Sequence, residues 1–413
     1  MTESAVRTGP RQLTLMPAGQ QAALDPYMAT IVHNRKSGLS LNHIIGCPLD
    51  CGYCVRHFWG NWDVKVPYLL CDDDEAVRLL TAHPAFTPHV TPIQLLNKAT
   101  DSFLPGVRPH LFRVLHALDQ RGYTNHVLII TRFKVTADDM AELESLRHLR
   151  VTLLFTYSGI KDSRIEPIAK SEITMTSIRT ACAAKKRTGV ILYWRPIVPG
   201  WNDKPETMAG VLETGRDADA IVFTGYYHKP ENHAWLSGLG VELPYGEDDF
   251  HRRKVMSGDL DAAVVAAWRA SGVSTPLFRK TSCGVAFAHG VADFNGHWGV
   301  RELCDICPAV QRQRCAAAYR QPAPADMDRL LAELGYETDY LIEDGHVLTH
   351  GLGEARRYTI QHRLGFQIWE LDQPHLLHAH GRSTYGHALD PVQAAALADE
   401  RDRFAALERY TDD

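Results

Sequence analysis

The residues with the clearest chemical potential are three cysteines in one short segment. Cys47, Cys51 and Cys54 have the spacing C-x3-C-x2-C within residues 46–54 (GCPLDCGYC). Three thiolates on one tight loop can hold three irons of a cubic [4Fe–4S] cluster, and the two glycines let the backbone bend close to the inorganic core. One iron then has no protein ligand, as in catalytic metal sites that keep a position open. The alternatives are zinc binding and incidental thiols, although zinc sites usually pair two C-x2-C units or add histidines.

A second group of cysteines lies far along the chain. Cys283, Cys304, Cys307 and Cys315 have the spacing C-x20-C-x2-C-x7-C. Four thiolates are enough to ligate every iron of a cluster, and the Cys-Pro sequence after the C-x2-C pair favours iron–sulfur over a zinc ribbon. We therefore expect an auxiliary [4Fe–4S] cluster here, with structural zinc and reduced structural thiols as the alternatives.

Composition limits the class of protein that carries these groups. The chain has 413 residues, 45% of them hydrophobic, which predicts about two to three globular units. The polar N-terminus lacks the apolar core of a secretory signal, and no apolar run approaches about 18 residues, so we expect a cytoplasmic protein with no membrane partner. A formal net charge of −5 gives no general attraction to a polyanion, which argues against nucleic acid as the main partner.

Strands and helices alternate in the first half of the chain. Short runs of β-branched and aliphatic residues recur and are separated by segments with helical periodicity. These runs are residues 41–45, 93–97, 127–131, 151–156, 190–194 and 220–224. Such alternation predicts a parallel α/β sheet, and six βα units are too few to close a full eight-unit barrel. We predict a partial (β/α)6 TIM-like barrel with its ligands at the C-terminal strand ends.

The predicted organisation has four parts. Residues 1–40 form an N-terminal arm, 41–225 the partial barrel, 226–320 a cysteine-rich extension with the second cluster, and 321–413 a small α+β appendage. In the appendage, strand-like runs are expected near 340–348 and 358–371.

The cysteine triad directly after the first predicted strand resembles the signature of the radical S-adenosylmethionine (SAM) superfamily. The resemblance implies that the amino and carboxylate groups of SAM chelate the open iron. It also implies that reductive cleavage yields methionine and a 5′-deoxyadenosyl radical, which takes a hydrogen atom from the substrate. In this family an aromatic residue before the third cysteine lies near the adenine, and Tyr53 has that position here.

Three further segments resemble the spore photoproduct lyase-like branch of that superfamily. They are residues 100–105 (TDSFLP), 129–132 (IITR) and 195–203 (RPIVPGWND). That branch has a cysteine downstream of the triad that returns a hydrogen atom to the product, whereas residues 96–102 here contain none. This difference argues against the same repair reaction.

The resemblance implies a set of cofactor-binding residues besides Tyr53. Arg132 would contact the cofactor carboxylate, where the branch has lysine, and Thr156 and Ser158 would meet the ribose. Arg195 begins the third of the matching segments. Asn97 and Asp101, at the end of the second predicted strand, could accept hydrogen bonds from the cofactor amino group; the alternative for Asp101 is that it only shapes the turn before Pro105.

Together these features predict a radical SAM enzyme acting on a small polar substrate such as a sugar, nucleoside or natural-product intermediate. The second cluster would relay electrons, bind substrate or donate sulfur, and a flavodoxin or ferredoxin would donate electrons. Two alternatives remain open. One is DNA or RNA lesion repair, or nucleic-acid modification, of the spore photoproduct lyase type. The other is a zinc-stabilised binding protein without enzymatic activity.

Overall fold

The computed structural model describes residues 12–54, 57, 64–167, 171–251 and 254–370. Residues 1–11 of the predicted arm and the part of the predicted appendage after residue 370 lie outside these ranges. Within them, no helix combines the length and the apolar character needed to cross a membrane.

The strands and helices alternate along most of the chain. In chain order the strands are β1 (Val32–Arg35), β2 (Gly38–Leu41), β3 (Ile44–Ile45), β4 (Tyr68–Leu69), β5 (Ile93–Leu95), β6 (His126–Thr131), β7 (Arg150–Thr156), β8 (Gly189–Ile197), β9 (Ala220–Gly225), β10 (Leu277–Phe278), β11 (Tyr340–Glu343), β12 (His346–Thr349) and β13 (Gln367–Glu370). The helices are α1 (Ala18–Ala22), α2 (Pro26–Ala29), α3 (Asp73–Thr81), α4 (Arg108–Asp119), α5 (Ala137–Ser145), α6 (Ser171–Ala184), α7 (Pro205–Thr214), α8 (Pro230–Gly238), α9 (Gly258–Ser271), α10 (Thr281–Ala288), α11 (Arg301–Cys304), α12 (Ala309–Ala318), α13 (Pro324–Leu334) and α14 (Gly353–Leu364). A 3-10 helix spans Glu247–His251.

The central sheet has eight strands in the order β1-β2-β5-β6-β7-β8-β9-β10. Neighbouring strands from β2 to β10 are parallel, and β1 pairs with β2 in the antiparallel sense. Parallel strands need a crossover between them, and helices supply these crossovers along the chain. Strands β1 and β10 are the two edges of the described sheet, so the sheet stays open. This arrangement confirms the predicted α/β class and partial barrel.

The sheet begins earlier in the chain than the sequence pattern predicts. Residues 32–41, mostly assigned to the arm, form the hairpin β1-β2, whereas Ile44–Ile45 pairs with Tyr68–Leu69 in a separate two-stranded sheet. All four residues of β1 are half-buried, and three of them are polar, so the strand has no apolar run. This composition explains why the pattern did not predict a strand there.

The segment after residue 225 continues the same sheet. Strand β10 pairs in parallel with β9, and α10 packs against β8 and β9. Apolar side chains from α10 and the following loop join those of the inner strands in one buried cluster. The cysteine-rich extension therefore shares its core with the barrel.

The last described part of the chain is a small α+β unit. Strands β11, β12 and β13 form a three-stranded sheet, and α13 and α14 contribute to its core. Of the run predicted as a strand over 358–371, the first half is the end of helix α14, which is followed by Gly365 with a φ of 60°, and residues 367–370 are strand β13. Short β-branched runs such as Thr359-Ile360 do not distinguish a strand from a helix, and here the helix is set by its packing.

A buried asparagine joins the chain segments that follow β7 and β8. The side-chain amide of Asn202 donates to the carbonyls of Ser158 at 2.6 Å and Pro196 at 2.8 Å. Its oxygen accepts from the backbone N–H of Val198 at 2.9 Å. Because both segments end at the same edge of the sheet, Asn202 positions the residues that follow these strands.

We expect Asn202→Ala to lower the free energy of unfolding by about 3 kcal/mol, because it leaves three buried backbone groups without partners. Urea denaturation followed by circular dichroism under anaerobic conditions measures the change. Lys204→Ala, at an exposed position in the same turn, is the control and should change stability by less than about 0.5 kcal/mol. An Asn202→Ala variant as stable as the control would contradict the bridging role.

Candidate functional site

The first cysteine group lies on a loop between β3 and β4 that is folded tightly against the barrel. Gly46 has a φ of 112°, and a Cβ atom there would lie 2.1 Å from the carbonyl oxygen of Val66, so only glycine fits. The backbone N–H of Gly52 donates to the carbonyl of Ile165 at 2.8 Å. The side-chain amide of Asn232 donates to the carbonyl of Gly52, also at 2.8 Å. These contacts hold the loop from both sides.

The three cysteines of this loop line one cavity. Cys47 and Cys51 are 8% and 9% exposed, and none of the nine cysteines forms a disulfide. Burial, together with the neighbouring Cys54, raises the pKa of the Cys47 thiol well above its usual range. Buried thiolates need a cation to compensate their charge, so this loop has the chemistry of a metal-binding loop.

The cavity opens at the carboxyl ends of the parallel strands and, together with the solvent at its mouth, spans about 990 Å³. This position is the one expected for ligands in folds of this kind. Of the residues predicted for the first cluster and the cofactor, those lining the cavity are Cys47, Cys51, Tyr53, Cys54, Asn97, Asp101, Arg132, Thr156 and Arg195. Ser158 is the exception, because its hydroxyl is turned toward a carboxylate behind the cavity wall. The structure thus brings these residues together, while their cluster and cofactor roles stay predictions.

The carboxylate behind the wall belongs to Glu166, which the sequence did not single out. It accepts from Nη1 of Arg132 at 2.6 Å, from the hydroxyl of Ser158 at 2.9 Å, and from the hydroxyl of Tyr53. Nη2 of Arg132 also donates to the Tyr53 hydroxyl at 2.5 Å. Burial raises the pKa of Glu166, and the adjacent guanidinium of Arg132 opposes this effect by compensating the charge of the ionised carboxylate.

Asp101 holds the ends of two neighbouring strands. Its carboxylate accepts from the hydroxyl of Thr131 at 2.7 Å, from the backbone N–H of Arg132 at 2.9 Å and from that of Phe103 at 3.0 Å. Burial nevertheless raises its pKa above the usual value. Asn97, close by, accepts from the hydroxyl of Ser40 at 2.5 Å. Both side chains are therefore held in place before any ligand binds.

The wall formed by β8 is positively charged. The guanidinium carbon of Arg195 lies 4.2 Å from the centroid of the buried Tyr193 ring, and Lys254 lines the same cavity. Burial opposes ionisation of Tyr193, but the two cations lower its pKa to about 8. Thr281, in the first turn of α10, donates from its hydroxyl to the Tyr193 hydroxyl at 3.1 Å. Tyr193 thus connects the cavity wall to the helix that carries Cys283.

The four cysteines of the second group also meet at one cavity, of about 410 Å³. Cys283 lies on α10, Cys304 ends α11, Cys307 follows it, and Cys315 lies on α12. Burial raises the thiol pKa of all four, that of Cys304 to about 12. Cys304 is buried and the other three cysteines are half-buried. Four thiols that line one cavity fit a metal centre better than four separate structural thiols.

A buried histidine and carboxylate share this second cavity. Nδ1 of His297 lies 2.9 Å from Oδ2 of Asp293, and both residues are buried. Burial lowers the pKa of His297 to about 4. Burial opposes ionisation of Asp293, but neighbouring groups lower its pKa to about 2, and His297 makes the largest contribution to this lowering. At neutral pH the pair is a carboxylate with a neutral imidazole.

Sequence reasoning missed Glu166, Lys254, Asp293 and His297. Each is a single polar residue in a connecting segment, at no recognisable spacing from the cysteines. A weak signal existed for Asp293 and His297, because both lie between the first and second cysteines of the second group. For Glu166 the sequence holds no signal that we can identify.

No protein-family model matches the chain, and a search of curated proteins finds no match. Several solved structures are similar in fold. A point mutant of spore photoproduct lyase aligns with a TM-score of 0.45 and 11% identity over 64% of this chain and 80% of that chain. Spore photoproduct lyase complexed with dinucleoside spore photoproduct aligns with a TM-score of 0.44 and 12% identity over 59% and 75%. Streptococcus suis SuiB bound to S-adenosylmethionine aligns with a TM-score of 0.41 and 11% identity over 64% and 55%. At these values, function must be argued from the residues of this chain.

We expect Glu166→Ala to lower the free energy of unfolding by about 3 kcal/mol, because it leaves the half-buried guanidinium of Arg132 without its carboxylate partner. The double variant Arg132→Met/Glu166→Met replaces both partners and should lower the free energy of unfolding by less than Glu166→Ala alone. Urea denaturation under anaerobic conditions measures both. Glu172→Ala, at an exposed position, is the control. A double variant less stable than Glu166→Ala would contradict the pairing.

Proposed function

We propose that this chain is a radical SAM enzyme whose catalytic [4Fe–4S] cluster is held by Cys47, Cys51 and Cys54. The observation that carries this proposal is that three thiols on one tight loop, two of them buried and that of Cys54 half-buried, face the polar ends of the parallel strands across one cavity. Three thiolates leave one iron open, and the cavity offers a binding space next to it. SAM bound at such a cluster supplies, on one-electron reduction, a 5′-deoxyadenosyl radical that abstracts a hydrogen atom.

The residues that surround the cavity support SAM as the cofactor. A guanidinium has five N–H donors, and the contacts of Arg132 with Glu166 and Tyr53 use two of them, so others can bind a carboxylate. Thr156 offers a hydroxyl to a ribose at the end of β7, and Asp101 and Asn97 offer oxygens to an ammonium group. For Ser158 we propose a positioning role instead of a ribose contact, because its hydroxyl donates to Glu166, which in turn contacts Arg132 and Tyr53.

The remaining part of the cavity supports a small polar substrate that carries an anionic group. Arg195 and Lys254 line it, and the described residues place no carboxylate in a salt bridge with either. Two cations in a partly enclosed site favour a carboxylate or phosphate. Of the classes considered above, a sugar, nucleoside or natural-product intermediate with such a group fits best. Tight, salt-dependent binding of DNA or RNA would instead favour nucleic-acid repair or modification.

We further propose a second metal centre at Cys283, Cys304, Cys307 and Cys315, with an auxiliary [4Fe–4S] cluster as the favoured occupant. Cys283 and Cys307 pack against the same inner cluster of side chains as Tyr193, beneath the cavity wall. This position favours an electron relay over substrate binding or sulfur donation, because buried side chains separate the two cavities. A flavodoxin or ferredoxin as electron donor and a cytoplasmic location follow from this chemistry.

Iron and sulfide analysis of anaerobically reconstituted protein tests both centres. We expect about eight irons per chain, falling to about four in a Cys47/Cys51/Cys54→Ala variant. A Cys71→Ala/Cys182→Ala variant is the matched control and should keep about eight, because these cysteines lie outside both groups. Colourless protein that contains zinc and no iron would contradict the proposal and favour a zinc-stabilised binding protein.

Binding of SAM tests the cofactor site separately. We expect Thr156→Val to raise the dissociation constant for SAM about 5- to 10-fold, since it removes one hydrogen bond worth about 1 kcal/mol while keeping the shape of the side chain. Equilibrium dialysis with cluster-loaded protein measures this. Thr152→Val lies on the same strand, and its hydroxyl contacts His289 at 2.8 Å, so this variant should bind SAM normally. Equal affinities for the two variants would place the ribose elsewhere.

A further inference from the structure

The second cavity contains more metal-binding side chains than a cluster can use. Cys304, Cys307 and Cys315 come from α11, α12 and the turn between them, and Cys283 comes from α10. His297, in the loop between α10 and α11, lines the same cavity. A cubic cluster takes one protein ligand per iron, so five donors compete for four positions.

His297 is held in the way that metal-binding histidines usually are. Oδ2 of Asp293 lies 2.9 Å from Nδ1 of His297 and also accepts from its backbone N–H at 3.0 Å. A carboxylate on one ring nitrogen fixes the tautomer in which the other nitrogen carries a lone pair. That nitrogen, Nε2, is buried and has no hydrogen-bond partner among the described residues. A buried nitrogen without a partner is costly, and a metal ion would supply one.

His297 and Cys283 are direct competitors for one position. The Cys283 sulfur, a ring nitrogen of His297 and a carboxylate oxygen of Asp293 lie within 4.8 Å of one another. A Cys283 thiolate would add a second negative charge beside the Asp293 carboxylate in a buried site, whereas a neutral imidazole adds none. Charge therefore favours His297.

We propose that His297, oriented by Asp293, is a ligand of the second metal centre together with Cys304, Cys307 and Cys315, and that Cys283 is not a ligand. The proposal rests on the second metal centre proposed above and concerns its ligands. It replaces the four-cysteine set that the sequence spacing predicts.

The small α+β unit holds the loop that carries His297. A Cβ atom at Gly296 would lie 2.3 Å from the carbonyl oxygen of Gly365. The side-chain amide of Gln361 donates to Oδ1 of Asn295 at 3.1 Å. The side-chain amide of Gln367 donates to the backbone carbonyl of Asn295 at 2.5 Å. These contacts flank His297 and give the appendage a positioning role at the second centre.

Pulsed electron paramagnetic resonance tests the proposal. The sample is the 413-residue chain that carries the triple substitution Cys47/Cys51/Cys54→Ala, so that only the second centre contributes to the spectrum. The protein is loaded with iron and sulfide, reduced with dithionite, and compared with protein labelled with 15N-histidine. We expect a nitrogen coupling that changes with the label and disappears in His297→Ala. With Cys283→Ala, both the coupling and about four irons should remain.

Several results would overturn the proposal. These are about four irons with no histidine nitrogen coupling, a coupling that persists in His297→Ala, or loss of iron in Cys283→Ala. His289→Ala is the matched control, because this half-buried histidine contacts Thr152 and its loss should leave the coupling unchanged. If the site takes zinc, X-ray absorption supports the proposal with three sulfurs and one nitrogen, and overturns it with four sulfurs.

Binding of neither metal would overturn both this proposal and the second centre. It would leave the first centre untouched, because that centre is absent from the variant used. Failure of the ligand proposal is thus distinguishable from failure of the radical SAM proposal.

Discussion

The buried carboxylate of Glu166 connects the parts of the chain that form the main cavity. It accepts from Arg132 after β6, Ser158 after β7 and Tyr53 in the cysteine loop. The preceding residue, Ile165, accepts from the backbone of Gly52 in that same loop. A buried charge is tolerated only when it is paired and hydrogen-bonded. The segment that carries Glu166, the ends of β6 and β7, and the cysteine loop must therefore come together for the fold to be stable. The same requirement sets the position of the three thiols relative to the strand ends.

The two cysteine cavities are arranged around one sheet. The first lies at the carboxyl ends of the strands, and the second lies where α10 and the following loop cover the inner face of β8 and β9. Tyr193 lies between them, with Arg195 stacked on its ring and Thr281 bonded to its hydroxyl. This buried layer separates the two cysteine cavities. For the two metal centres that we propose, such a separation suits electron transfer better than shared substrate binding.

The residues after the barrel complete the sheet and support the second cavity, which composition alone does not predict. Strand β10 and α10 extend the sheet and its core, and the α+β unit holds the loop from Asp293 to His297. Close backbone contact at Gly296 leaves this loop little freedom. The metal-binding role that we propose for His297 would need such support, because a ligating ring must be held in the right orientation as well as close to the metal.

Local sequence determined the α/β class, most strands of the parallel sheet and the two cysteine groups, because these depend on residue periodicity and spacing over short distances. It did not determine the hairpin β1-β2, helix α14 or the roles of Ser158, Glu166 and His297. Glu166 meets Tyr53 across 113 positions of the chain, and the polar residues of β1 become a strand only because β2 pairs with them. Which polar side chain becomes buried beside which other is settled by packing between distant segments, and only the tertiary structure decides it.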